Sequence, residues 1–136
     1  MQITIREPGS AITHFIGLIM AMLASLPLLV KASGATDRLV PQALSVFMFT
    51  MFLLYGASTA YHSLAASERI IKLFKKIDHM MIFALIAGSY TPICLTVLRG
   101  PVGTQLLFVI WGIALAGMTV KILWVTCPKW FSSIIY

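Results

Sequence analysis

Four apolar blocks, each long enough to cross a bilayer and separated only by short polar connections, set the strongest limit on how this chain folds. They run from about Ala11 to Val30, Leu39 to Ala66, Ile77 to Leu98 and Val102 to Val125. A helix rises about 1.5 Å per residue and the hydrocarbon core is about 30 Å thick, so a span needs about 20 residues. Each block meets that length, and the second is long enough to tilt or to project beyond the core. In water the alternative fails, because 136 residues that are 60% hydrophobic and only 10% charged have too little interior to hide such a surface. The expected fold is all-α: a polytopic transmembrane helix bundle forming a single domain over residues 1–136.

Local punctuation agrees with these blocks. Gly34 breaks the chain after the first, Asp37 and Pro41 suit the start of the second helix, and Gly100-Pro101 makes a tight turn before the fourth. Pro92 lies well inside the third block and should kink it, with neighbouring helices satisfying the freed carbonyl. Residues 15–30 followed by KASGA faintly resemble a signal peptide, but Glu7, Lys31 and the length of the block favour a first span. The closing KWFSSIIY restarts an apolar pattern at Trp130. It reads as the beginning of a fifth helix in a truncated chain, or as an interfacial tail anchored by Trp130 and Tyr136. Cys94 and Cys127 form no zinc-type pair and read as two small buried thiols.

A net charge of +6 raises nucleic acid as a partner, but the basic residues sit in short connections between apolar blocks, so none is expected. Placing the N-terminus in the cytoplasm puts Arg6, Arg69, Lys72, Lys75, Lys76 and Lys129 inside, with Lys121 snorkelling to the same side, and leaves Lys31, Arg38 and Arg99 outside. The expected location is the cell membrane, with this orientation. In the most basic connection, Ser67 can cap a short helix carrying Ile70, Ile71, Phe74 and Ile77 on one face. Arg69, Lys72, Lys75 and Lys76 take its other side. Such a helix suits the inner membrane surface, where each cation attracts anionic inner-leaflet lipid by about 1 kcal/mol; a plain solvated loop is the alternative.

The stretch LLYGASTAYHSLAASERIIKLFKKIDHM holds the polar residues that need a reason, because polar groups are expensive among apolar ones. Ser58 and His62 lie four apart, on one helix face. His62 falls roughly 35 Å along the second span by helical rise, near its end. Asp78 opens the third span on the same side, so an antiparallel neighbour brings it near the level of His62. Two readings follow. The imidazole and the carboxylate pin two helices together by a hydrogen bond, or His62 is a zinc ligand with Asp78 orienting a bound water and Ser58 lining the site. His79 points about 100° away from Asp78 and reads as interfacial. His14 reads the same way, with Glu7 as its candidate hydrogen-bond partner. Gly17, Gly56, Gly88, Gly112 and Gly117 suit close helix packing.

The order Ser58-x-x-x-His62, Asp78 and GSYTP at 88–92, together with Glu7 and His14 in the opening REPGSAITH, resembles the hemolysin III family, bacterial relatives of the progestin and adiponectin receptors. Ser10 stands where many members have Asn. The resemblance implies a seven-helix bundle with an intracellular N-terminus and a zinc ion near the cytoplasmic face. His62 matches a ligand, Asp78 the holder of the zinc-bound water, and Ser58 a residue lining the site. Members supply two more ligands as His-x-x-x-His from the last span. The other histidines here are His14 and His79, so those two ligands are expected from a C-terminal span that this chain lacks. The implied activity is zinc-dependent hydrolysis of a membrane lipid amide or ester, ceramidase-like, with Asp78 and Ser58 at the catalytic site. Two alternatives stand beside it: a non-enzymatic role in membrane-lipid homeostasis or sensing, and lysis of membranes.

Overall fold

The computed structural model describes residues 5–126 and Pro128. Helix α1 covers Pro8–Ser33, α2 Leu39–Ser63, α3 Glu68–Pro92 and α4 Gly100–Leu123. A π-helical turn, Ile93–Val97, continues α3. All four are long and apolar enough to cross a membrane. Each packs on its neighbour in sequence, α1 on α2, α2 on α3 and α3 on α4, while the π turn touches α2 and α4. The start of α1 lies beside the end of α2, where the Glu7 N–H donates to the His62 carbonyl at 3.0 Å, so the two run antiparallel.

The helix ends follow local chemistry. Proline stands in the first turns of α1 and α4, where its missing N–H costs nothing. The Asp37 carboxylate accepts from the Leu39 N–H at 2.9 Å and caps the entry to α2. Arg99 and Gly100 take φ of 22° and 75°, and this left-handed turn reverses the chain into α4. Asp37 also pairs with Arg99 at 3.0 Å, tying the two connections at that end together.

Three expectations need revision. The second helix stops at Ser63 rather than near Ala66, since Leu64 leaves the helical region with ψ of 119°. The basic segment is not a separate helix lying flat on the surface: it forms the first turns of α3. No glycine or proline interrupts residues 68–87, so a helix begun at Glu68 propagates into the span. Ser67 occupies the N-cap position, but its side chain makes no capping bond. Lys121, expected to snorkel to the cytoplasmic surface, is wholly buried in the last turn of α4, where the helix C-terminus favours a cation. The change of helix type directly after Pro92 is how the chain absorbs the missing N–H there.

The core sits at the α3–α4 seam. Phe83, Ala87 and Ala114 are buried, with Ile110, Trp111 and Met118 against them. The Trp111 indole N–H donates to the Thr91 hydroxyl at 3.1 Å, and that hydroxyl donates to the Ala87 carbonyl at 2.9 Å. Gly88 lets α2 approach so closely that a Cβ there would overlap the Thr50 side chain. Many large apolar side chains face outward, among them Phe108 at 73% and Val102 at 65% exposure. That is the surface a bilayer covers. Cys94 is a buried free thiol, and Cys127 lies outside the described residues.

Candidate functional site

The end of the molecule shared by the start of α1, the end of α2 and the start of α3 gathers most of the titratable side chains. His62, in the last turn of α2, donates from Nδ1 to Glu7 Oε2 at 2.7 Å. Glu7 in turn pairs with the Arg6 guanidinium at 2.9 Å, and that guanidinium lies 4.2 Å above the centre of the Tyr61 ring. Side-chain and main-chain bonds between Glu7 and His62 thus lock the approach to α1 onto the end of α2.

The seam continues upward through aromatic rings. His14 on α1 sits 5.4 Å from the His62 ring and meets Tyr55 edge-on at 6.2 Å. Gly17, one turn on from His14, makes room for Tyr55: a Cβ there would fall 2.7 Å from the tyrosine ring. Tyr55 and His62 are seven residues apart and therefore share a face of α2. The expected pairing of His14 with Glu7 is replaced by a longer-range one, because the antiparallel register sets Glu7 opposite His62. The Nδ1 of His14 is enclosed with no hydrogen-bond partner among the described residues.

Electrostatics at this end favour the ionised carboxylate of Glu7. The hydrogen bond from His62 holds its pKa below the ordinary value, burial opposes, and the charge of Arg6 adds to the lowering.

Ser58 and Asp78, the other two expected site residues, are both buried, at 2% and 8% exposure. Among the described residues no hydrogen bond or ion pair joins either of them to His62, whose Nδ1 goes to Glu7 instead. His79 is half-buried, and its Nδ1 is enclosed with no hydrogen-bond partner among the described residues. Sequence spacing singled out Ser58, His62 and Asp78 but passed over Arg6 and Tyr61, which the structure sets beside Glu7 and His62. Register was the missing signal: once α1 is laid against α2 head to tail, Arg6 and Glu7 face Tyr61 and His62.

The sequence resemblance implies a zinc ion, which needs about three protein ligands. Among the described residues no group of three His, Cys, Asp or Glu side chains is placed to hold a metal ion. His62 fits one ligand position, since a carboxylate on Nδ1 leaves Nε2 as the ligating nitrogen. These residues do not make a metal site by themselves.

Four bilayer-length helices with titratable groups collected at one end define a multi-pass α-helical membrane protein. Residues 2–136 match the family described as Haemolysin-III related, and the chain belongs to it. It is 43% identical over 119 residues to Hemolysin-3 of Bacillus cereus, covering 88% of this chain and 54% of that protein. With the Hemolysin-3 homolog of Bacillus subtilis it shares 35% over 134 residues, 98% of this chain and 62% of the relative. A Caenorhabditis elegans progestin and adipoQ receptor-like protein 1 is 31% identical over 87 residues, 63% of this chain and 20% of that one. The chain thus spans between half and two thirds of the length of its bacterial relatives. No solved structure matches it.

Proposed function

We propose that this chain carries the His62 and Asp78 part of a zinc-dependent hydrolytic site acting on membrane lipid amides or esters, with the remaining ligands supplied from outside the described residues. The observation that carries the reading is the 2.7 Å contact between Glu7 and His62. A carboxylate on one ring nitrogen fixes the tautomer and raises the basicity of the other, which is how metal-bound imidazoles are held. Membership of the hemolysin III family supports it. Zinc, when bound, supplies a water of lowered pKa and polarises a carbonyl. Of the chain's own residues, His62 offers one ligand nitrogen, Asp78 accepts a proton as general base, and Ser58, one helical turn from His62, lines the site. In the proposed setting the protein lies in the cell membrane with its N-terminus and this site on the cytoplasmic side.

The test is metal analysis of the purified full-length protein beside His62→Ala and Asp78→Asn, with turnover of a ceramide-like lipid measured in parallel. Wild type should hold about one zinc per chain, His62→Ala should lose it, and Asp78→Asn should keep it while losing turnover. Equal zinc in wild type and His62→Ala ends the reading.

A second reading, a non-enzymatic role in lipid homeostasis or sensing with the polar end as a structural clasp, draws on the main-chain bond between Glu7 and His62 and the stacking of Arg6 on Tyr61. It expects Asp78 substitutions to destabilise the bundle and wild type to release no product from such lipids.

A further inference from the structure

Helix α3 and its π turn form one rod, Glu68–Val97, of 30 residues. At helical rise that is about 45 Å, against a hydrocarbon core of about 30 Å. Roughly ten residues therefore stand outside the core. The turn at Arg99 and Gly100 fixes the far end, so the excess lies at the start, and Glu68 to about Ile77 stand at the depth of the lipid headgroups.

Within that layer Arg69, Lys72 and Lys76 follow at i, i+3 and i+7 and form a single stripe of positive charge. Beside the stripe Ile70 and Leu73 are 44% and 54% exposed. These five residues and Val125, just beyond α4, line an open cleft of about 500 Å³. Lys75, grouped with the other three cations on sequence grounds, does not line the cleft. Two acids lie near in sequence: Glu68, exposed and outside the cleft lining, and Asp78, buried below it. The cleft is cationic along one wall, apolar along the rest, and level with the headgroups.

We propose that the cleft between the start of α3 and the exit of α4 binds the headgroup of an anionic phospholipid from the leaflet at the His62 end. The phosphate oxygens accept from the Arg69 guanidinium and from the Lys72 and Lys76 ammonium groups. The glycerol and first acyl methylenes lie against Ile70, Leu73 and Val125. An upright helix presenting a pocket differs from a flat basic helix, because it holds one lipid at one place instead of attracting a diffuse layer. The inference stands apart from the zinc reading and survives its failure.

Native mass spectrometry of the full-length protein, released from nanodiscs of phosphatidylcholine with a minority of phosphatidylglycerol, tests it. Wild type should retain one phosphatidylglycerol. The triple variant Arg69→Gln, Lys72→Gln, Lys76→Gln should retain it about a hundred-fold more weakly, at about fivefold per cation. A control triple at the other end, Lys31→Gln, Arg38→Gln, Arg99→Gln, should leave retention unchanged. Leu73→Ser should weaken retention of the lipid as well. Should the cleft triple lose helical circular dichroism, the single exposed Lys72→Glu replaces it, with a tenfold or larger loss expected. Equal losses in the cleft and control triples would mean diffuse attraction and overturn the proposal. Displacement of the lipid by equimolar glycerol phosphate would overturn it too, by making a soluble phosphate the ligand.

Discussion

Glu7 decides how the polar end is held together, although it lies outside every span. It bonds His62 through side chain and main chain, pairs with Arg6, and so brings Tyr61 under the guanidinium. The carboxylate is 46% exposed, so solvent screens it, and Glu7→Gln should cost no more than about 1 kcal/mol. The pH dependence is more telling than the size. The folded state lowers the Glu7 pKa from 4.5, so its contribution is complete above about pH 4.5 and disappears as pH falls through the lower folded value. Thermal midpoints in detergent should therefore fall in wild type as pH drops below 4.5, more steeply than in Glu7→Gln, and the two curves should converge at the acid end. Parallel curves throughout would show that the carboxylate carries no linked proton. Spacing alone paired Glu7 with His14, seven residues away and close in the chain. Pairing across 55 residues becomes legible only with the helix register in hand.

Among the elements, α3 sets the arrangement, since α2 and α4 both pack on it. Its buried positions, Phe83, Ala84, Ala87, Gly88 and Thr91, recur at helical spacing, so the inward stripe was readable in advance. Its starting point was not. Charged residues 68–76 look like a break in an apolar block, yet charge does not stop a helix; glycine and proline do, and none stands before Gly88. Glycines expected to ease packing divide by what faces them. A Cβ at Gly88 overlaps Thr50, whereas one at Gly56 meets nothing within 4 Å. Gly88→Ala should then destabilise by about 1–3 kcal/mol through overpacking, and Gly56→Ala should be near neutral or slightly stabilising. Adding Thr50→Ala to Gly88→Ala should restore much of the loss in a thermal or steric-trapping measurement. Similar losses at Gly56 and Gly88, or no recovery in the double variant, would remove close α2–α3 packing as the cause.

For the whole molecule, span number and order followed from block length alone, because a bilayer admits only rods with every backbone group satisfied. The antiparallel order of the helices followed in the same way, while the burial of Lys121 did not, since nothing in the sequence tells a snorkelling lysine from an enclosed one. That order also divides the charges. Arg6, Arg69, Lys72, Lys75, Lys76 and Lys121 share the His62 end, and Lys31, Arg38 and Arg99 the other, where Asp37 neutralises Arg99 at 3.0 Å. Lysine and arginine in short connections hold their side of the membrane in the cytoplasm, and acidic residues contribute little, so the His62 end should face inward. Single cysteines placed at the exposed Thr36, between α1 and α2, and Ala65, between α2 and α3, read this directly once Cys127 is replaced by serine. Buried Cys94 stays silent. An impermeant maleimide on intact cells should label Thr36→Cys at once and Ala65→Cys only after permeabilisation. The opposite pattern would turn the molecule over and move the His62 cluster and the basic cleft to the outer leaflet.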